Sequence, residues 1–471
     1  MPACFLDQAG IFIATEGFFK KPLGNGFPKC FPNIDVRLYA DSSSMTLNWK
    51  NEGENMKGQK TITGFGAVSA LALFVVGACG GSGTADIAGD ADLRTIPDDP
   101  SAVSYTLGSK LANLSGQDST DFDDGLVAFS SNEGPADGLG PVFNGQSCGQ
   151  CHFQGAIGGA GNDLALTRVT RIGGIVDGKY SDLEHLGGPV IQSRSNREFD
   201  PMFPHGREFV PPEAKFVSLR ITTPLFGLGL IEAIPESDIV ARSQRKFGDG
   251  VAGTVNWVTH PVTGKKEVGR FGWKSQISTI EVFASDAYVN EMGITVPIFQ
   301  DEQKPQGHPI APGADPVGEP EDAEDVELFI SFMKFLAPPT RSPLSIVAQQ
   351  GEKLFGTTGC ANCHAPQYKT GVNANPALSN QDVNLYSDLL VHRMGSMLAD
   401  GIIQESAQGD QFRTAPLWGL SKRRLLLHDG RATTVDAAVS YHGGEASIAA
   451  GRYFSASESD RSAIREFLKS L

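Results

Sequence analysis

Cys148-Gly149-Gln150-Cys151-His152 decides how the rest of the chain is read, because Cys360-Ala361-Asn362-Cys363-His364 spells the same pattern. Cys-x-x-Cys-His is the attachment signature of c-type haem. Two thiols three residues apart sit on one turn of backbone and can add to the two vinyl groups along one edge of a porphyrin. The adjacent His is then carried under the iron as an axial ligand. A zinc ribbon also pairs its cysteines as Cys-x-x-Cys, but its second pair follows within about 15–20 residues. Here the pairs stand roughly two hundred residues apart, each with His directly after it. A thioredoxin-like redox pair needs no such His. The pattern predicts two covalently bound haems c, on Cys148 and Cys151 and on Cys360 and Cys363, with His152 and His364 as iron ligands.

The chain of 471 residues has a formal net charge of −15 and 40% hydrophobic residues. Such a length suggests two or three domains, and the apolar content is enough for a sizeable core. The charge argues against a nucleic-acid partner, since phosphates must be met by cations. It suits docking of a basic electron donor, although an acidic surface is also what ordinary solvated surface looks like.

The N-terminus does not read as the start of a folded domain, for residues 1–55 show neither sustained helical nor sustained strand periodicity. Met56-Lys57-Gly58-Gln59-Lys60 then opens a basic segment, an apolar run follows from Ile62 to Val76, and it ends in Val76-Gly77-Ala78-Cys79. That order describes a lipoprotein signal peptide over 56–78 with lipid attached to Cys79. The run is short for a membrane-crossing helix, which needs about 20 apolar residues. Translation is therefore expected to start at Met56; peptide mapping of the native protein that finds residues before it would overturn this. The expected location is periplasmic, held to a bacterial membrane, the outer one by preference, through the lipid alone. Of seven cysteines, four lie in the haem motifs, Cys79 takes lipid, and Cys4 and Cys30 precede the expected start, which leaves no thiol pair for a disulfide.

Residues 79–118 read as a flexible tether, small and acidic from Gly80-Gly81-Ser82-Gly83 onward. A helix is predicted over Asp121–Ser130, with Phe122, Leu126 and Phe129 on one face. Phe216–Ile221 alternates as a strand, and Thr254–His260 with Lys266–Trp273 is expected to pair around Thr263-Gly264. A helix over Asp322–Leu336 is stopped by Pro338-Pro339. Another, around Ile346–Phe355, leads to the second haem motif. The last begins near Ser457, with Ser457 and Asp460 spaced as a capping box and Ile464, Phe467, Leu468 and Leu471 on its buried face. The expected fold is mainly α: an N-terminal haem domain over 119–325, enlarged by loops and short β-strands, and a C-terminal cytochrome c-like haem domain over 326–471.

Further stretches stand in a telling order. Gly140-Pro141-Val142-Phe143-Asn144 precedes the first motif; Gly227 to Pro235, Gly269-Arg270-Phe271-Gly272-Trp273-Lys274 and Glu291-Met292-Gly293 follow it. After the second motif come Asp388-Leu389-Leu390, Arg413 to Leu420, His428-Asp429-Gly430-Arg431 and Tyr441-His442-Gly443-Gly444-Glu445. In these residues the chain resembles the bacterial di-haem cytochrome c peroxidase and MauG superfamily, and most closely its di-haem oxidoreductase branch, also called thiol oxidoreductases. The resemblance spans about residues 120–471.

It implies that the N-terminal haem is the peroxide site and the C-terminal haem the electron store. In the family the distal ligand of the C-terminal haem lies fourteen residues after the His of His-Asp-Gly, which gives His442, with Tyr441, Met394 and Met397 as fallbacks. Two imidazoles would suit electron transfer rather than substrate binding. The acid on the peroxide face falls on Glu291, where a partly buried carboxylate would move the proton that O–O cleavage requires. Trp273 matches the tryptophan between the two haems. The alternatives are that Glu291 caps a loop or pairs with an Arg and that Trp273 is core, the place of most tryptophans.

Three departures qualify the match. The family's active-site Gln falls near Val282 or Phe283, which leaves no amide there. Arg424-Leu425-Leu426-Leu427 stands where such peroxidases place inter-domain calcium ligands, which leaves calcium a possible but doubtful cofactor. No His occupies the loop that closes the N-terminal haem, His185 and His205 being the nearby candidates. The implied function is peroxide reduction with electrons from a small redox protein such as a cytochrome c or cupredoxin. MauG-like oxidation of an organic or protein substrate and a non-enzymatic electron carrier stay open as alternatives.

Overall fold

In the computed structural model the described residues are 103–471 except 319 and 323, preceded only by the backbone of strands at 5–6, 12–13, 34–40, 44–51 and 57–63. The chain divides into two compact units, Met1–Asp90 and Ala91–Leu471. In the first, Ile34–Ala40, Ser44–Asn51 and Lys57–Thr63 form an antiparallel three-stranded sheet. The alternation of Ile34, Val36, Leu38 and Ala40 is a strand period too short to count as sustained, which is why the sequence reading passes over it. The last strand occupies the basic opening of the expected leader. Residues 64–102, with most of the apolar run, the expected lipid site Cys79 and much of the tether, lie outside the described residues.

The second unit holds nine α-helices among the described residues: α1 (Gly116–Ser130), α2 (Leu228–Glu232), α3 (Glu236–Ser243), α4 (Ile280–Ala287), α5 (Asp325–Phe335), α6 (Ile346–Thr357), α7 (Val435–Ser440), α8 (Ser447–Ser455) and α9 (Glu458–Ser470). With 32% of residues helical and 14% in strands the architecture is mixed, so the expectation of a mainly α chain holds only in part. The largest sheet of this unit is antiparallel, with Arg168–Val176 paired to Phe216–Ile221, Lys179–Ser181 and Val190–Ile191. The expected hairpin forms, shortened to Trp257–Thr259 against Lys266–Val268, with Gly264 at φ +67° in its turn.

Two helix pairs frame the two Cys-x-x-Cys-His motifs in the same way. Ahead of the first motif, α1 starts at Ser115, whose side chain accepts from Asp118 N at 3.0 Å, an N-cap worth about 1 kcal/mol. It buries Phe122 and Phe129 against Phe329 and Phe332 of α5, with the Phe129 and Phe332 ring centroids 4.8 Å apart. Ahead of the second, α6 packs Ala348 and Phe355 against Ile464 and Phe467 of α9, which Ser457 caps as its sequence spacing predicts. Each crossing is close enough to require a glycine. A Cβ at Gly125 would lie 2.3 Å from Leu328 O, and one at Gly351 only 1.9 Å from Ala463 O.

A domain boundary at 325/326 would separate α5 from α1. The backbone ties α5 to the segment just before α1, with Leu111 N to Phe335 O at 2.9 Å and Ala337 N to Ser109 O at 2.9 Å. Those bonds hold α5 to the chain ahead of α1, and Ala91–Leu471 forms one compact unit.

Gly351 gives a first prediction. Glycine to alanine inside a helix normally gains about 0.5–1 kcal/mol of propensity. Here the new methyl meets a backbone carbonyl that no rotamer change can move, and overpacking costs about 1–3 kcal/mol. The clash wins: Gly351→Ala should lose about 1–2 kcal/mol in urea unfolding, and an unchanged midpoint would mean that α6 and α9 do not cross at this distance.

A buried charge cluster joins the strand before the first module's cavity to a loop of the second. Asp400 receives Arg220 Nη2 at 2.7 Å, Lys274 Nζ at 3.2 Å and Ser218 Oγ at 2.8 Å, all with little solvent contact. Lys274 also donates to Gln408 O and Gln411 O at 2.9 and 2.8 Å. Such a cluster adds little net stability but tolerates only one arrangement, because any member left alone would be a buried unpaired charge. It fixes Trp273, the neighbour of Lys274, relative to the 400–413 loop.

Candidate haem centres

Cys148–Gln150 forms a single 3-10 turn, and His152 N bonds back to Cys148 O at 3.0 Å. His152 Nδ1 lies 3.3 Å from Gly159 O, so the ring donates there and turns Nε2 the other way. A carbonyl on the far nitrogen is how proteins orient a metal-binding imidazole. Gly159 has no room for a side chain, since its Cβ would sit 2.1 Å from Gln154 O. Burial holds His152 down to about 4, hence neutral at physiological pH, the form that ligates metal.

The second motif repeats this arrangement. His364 Nδ1 lies 3.0 Å from Tyr386 O, and burial again holds the ring to about 4. His442 is close enough to His364 to depress it further, and its own Nδ1 is occupied by Ala438 O at 2.8 Å. Two imidazoles with their Nδ1 atoms held by carbonyls thus stand near each other, which is the donor set for an iron with two axial ligands. Of the fallbacks, Met397 is 51% exposed and Tyr441 has its ring under Arg431 at 5.3 Å.

All four motif cysteines are free thiols. Burial pushes Cys148 and Cys151 up to about 12 and Cys360 up to about 11. These are not the low-pKa thiolates of disulfide exchange. Reduced thiol pairs, each beside a neutral, oriented histidine, fit covalently attached haem.

Glu291 lies on a π-turn, Tyr288–Met292, a feature that often marks functional positions. The turn is stitched to the stretch before the first motif: Asn144 N and Gly145 N donate to Glu291 O at 2.7 and 3.2 Å, and Gly140 N to Met292 O at 3.1 Å. Asn144 Nδ2 then donates to Glu291 Oε2 at 3.1 Å. The amide is fixed in that sense because its Oδ1 accepts from Ser193 N and Oγ, both at 3.0 Å. Burial pushes the Glu291 carboxyl up to about 7, the Asp286 carboxyl adds to this, and Asn144 and Arg171 oppose it. Glu291 in turn helps raise both Cys148 and Cys151, which places it beside the first motif. Asn144 is the residue the sequence reading missed. Val282 and Phe283 are apolar, and Asn144 presents an amide to Glu291 from a different part of the chain.

Trp273 donates Nε1 to Ile221 O at 2.8 Å and accepts Arg413 N on its own carbonyl at 2.8 Å. It lines a small cavity, partly open to solvent, with Thr223, Phe283, Trp418, Arg413 and Arg423. One wall belongs to the first module, for His152 also reaches the backbone of Thr223. The other is tied to the second, with Leu417 N to Leu385 O at 2.8 Å and Ser387 Oγ to Thr414 O at 2.5 Å, either side of the Tyr386 that holds His364. Trp273 thus stands between the elements that orient the two motif histidines. Trp418 shares the position and was given no role from sequence.

His205 Nε2 accepts Ala311 N at 3.0 Å. The carboxylates closest to a cation-binding set among the described residues are Glu302, Asp315 and Glu321, on a different segment from 424–427. His392, also unremarked in the sequence, sits between Asp388 and Glu445 at 2.9 and 2.8 Å and 3.6 Å from Cys363 Sγ.

A family model described as "Di-haem oxidoreductase, putative peroxidase" matches residues 213–471, more than half of the chain. The chain belongs to the di-haem oxidoreductase family. The second attachment motif and His442 lie inside the matched region and the first motif lies upstream of it. Haem is thus the family's cofactor and oxidoreduction its chemistry. No curated protein matches the chain. Among solved structures, the Kuenenia stuttgartiensis hydrazine synthase pressurised with xenon aligns over 80% of this chain and 99% of that one, at 14% identity and a TM-score of 0.28. No helix among the described residues of this di-haem oxidoreductase is long and apolar enough to cross a membrane.

Proposed function

We propose that the chain carries two c-type haems and reduces hydrogen peroxide at the N-terminal one with electrons delivered by the C-terminal one. The observation that carries this reading is Glu291, a half-buried carboxyl pushed up to about 7, hydrogen-bonded to Asn144 and lying beside Cys148 and Cys151. Cys148, Cys151 and His152 would hold one haem; Cys360, Cys363, His364 and His442 would hold the other. Each bound haem supplies an iron that changes oxidation state.

The protein's own contribution is to orient, exclude and move protons. Asn144 holds Glu291 Oε2, which leaves Oε1 to take a proton from one peroxide oxygen and return it to the other. His442 closes the second site to small molecules and leaves it suited to electron transfer. Trp273, between the two modules, would relay the electron. The donor would be a small redox protein, a cytochrome c or a cupredoxin, drawn to the acidic surface. The leader and Cys79 would put the enzyme in the periplasm on a lipid anchor. Calcium has no part in this reading.

Electron paramagnetic resonance of the oxidised holoprotein, with and without peroxide, tests it. One low-spin and one high-spin haem, the latter lost on adding peroxide, followed by turnover with a reduced cytochrome, is the expected result. Two low-spin haems indifferent to peroxide would make the protein an electron carrier. Peroxide reactivity without cytochrome turnover would point to oxidation of an organic or protein substrate instead.

A further inference from the structure

Two arginines line the cavity between the haem modules with no acid among the described residues paired to them. Arg413 is 8% exposed; its Nε donates to Gly272 O at 2.8 Å, while its Nη1 is buried without a hydrogen bond. Arg423 sends Nη2 to Pro416 O and Trp418 O at 2.8 and 3.0 Å, and its Nε is likewise buried and unbonded. The contrast with neighbouring arginines is sharp, since Arg220 is paired with Asp400 and Arg393 with Asp410. Burial holds both guanidiniums down to about 10, and for Arg413 the nearness of Arg423 adds to it. Both therefore stay charged at neutral pH.

Two like charges kept from water without a counter-charge destabilise the fold. A fold keeps such a pair where an anion arrives later, and a planar guanidinium with unused N–H groups is shaped for a carboxylate. The anion must also fit a cavity walled by Trp273, Trp418 and Phe283. We propose that Arg413 and Arg423 bind the propionate carboxylates of the haem carried by His152. This rests on the di-haem reading above. The two propionates of one porphyrin match the two positive charges, and Thr223, which His152 contacts, belongs to the same wall. The pair would then fix the edge of the first haem that faces the second and raise its reduction potential, since nearby positive charge favours the reduced iron.

The test uses the full haem-loaded chain. In a crystal structure of it, a propionate oxygen should lie within hydrogen-bond distance of Arg413 Nη1 or Arg423 Nε; propionates turned to solvent would overturn the assignment. In potentiometric titration, Arg423→Gln should shift the reduction equilibrium of one haem about tenfold toward the oxidised form, 59 mV for a one-electron couple. Arg423→Lys, which keeps the charge, should shift it far less. Equal shifts in the two variants would overturn the electrostatic role, and so would no shift in either. Acetate that binds the unmodified holoprotein and moves the same potential would show that the pair takes free carboxylates instead. Haem content is measured first: fewer than two haems per chain would sink the di-haem reading, whereas two haems without the propionate contact would sink only this inference.

Discussion

Glu291→Gln should lower the rate of the reaction with peroxide by about 10²–10⁴-fold at neutral pH, the range that a positioned acid–base group contributes. Both haems should stay attached, because Glu291 touches neither thiol nor axial ligand. The rate should also lose its pH dependence. With the carboxyl near 7, the ionised form that accepts the first proton increases from pH 6 to pH 8, so the unmodified enzyme should speed up through that interval and level off above it. The Gln variant should be slow and flat. Stopped-flow mixing with peroxide from pH 5.5 to 9 checks both statements, and a variant that keeps the rate and its pH limb removes Glu291 from the mechanism.

Stability works in the opposite direction and separates a chemical effect from a structural one. The folded carboxyl titrates near 7 against an ordinary value of 4.5, so folding favours the protonated form. That contribution is fully present below about 4.5 and is lost as pH rises through 7, at a cost of a few kcal/mol. Gln is a permanent stand-in for the protonated acid. Glu291→Gln should therefore be at least as stable as the parent at pH 8, so a loss of activity cannot be charged to unfolding.

What the sequence made legible was local. The haem motifs, the capped helix starting at Ser457 and the strand over Phe216–Ile221 each depend on residues within one or two turns of one another. Ser457 caps Asp460 N three residues on, and the structure repeats that spacing. The unforeseen parts depend on distant contacts. Asn144 meets Glu291 across 147 residues, so its amide could not be found by looking for a Gln near 282. Gly125 and Gly351 read as neutral helix residues, and only the crossing of a second helix shows why each must lack a side chain. The strand content of the 165–221 region was underweighted because Arg168–Val176 carries mixed polar and glycine positions rather than a clean alternation. Its period emerges only against Phe216–Ile221. Arg413 and Trp418 lay inside a quoted stretch, yet neither acquires a role until the cavity gives them a common neighbour.

His442→Ala should convert one of the two haems from low-spin to high-spin while His364 and both thioether bonds remain. The reasoning begins at α7, which Thr434 caps through Ala437 N at 3.1 Å and which ends just before Tyr441 and His442. The last turn offers Ala438 O to His442 Nδ1 at 2.8 Å, so the ring is held by the helix and its Nε2 is left for a metal. Losing a partner that merely orients a ligand costs 10–100-fold in comparable metal sites. Losing the ligand itself should therefore cut donor-driven peroxide turnover at least about 100-fold. Added imidazole gives the sharper readout. It should enter the space left by the side chain, restore the low-spin signal and recover part of the turnover, which a residue with a packing role would not allow. A variant that keeps the low-spin signal would transfer the ligand to Met394 or Tyr441. It would leave the electron-storing site intact but with a different sixth ligand and a different potential.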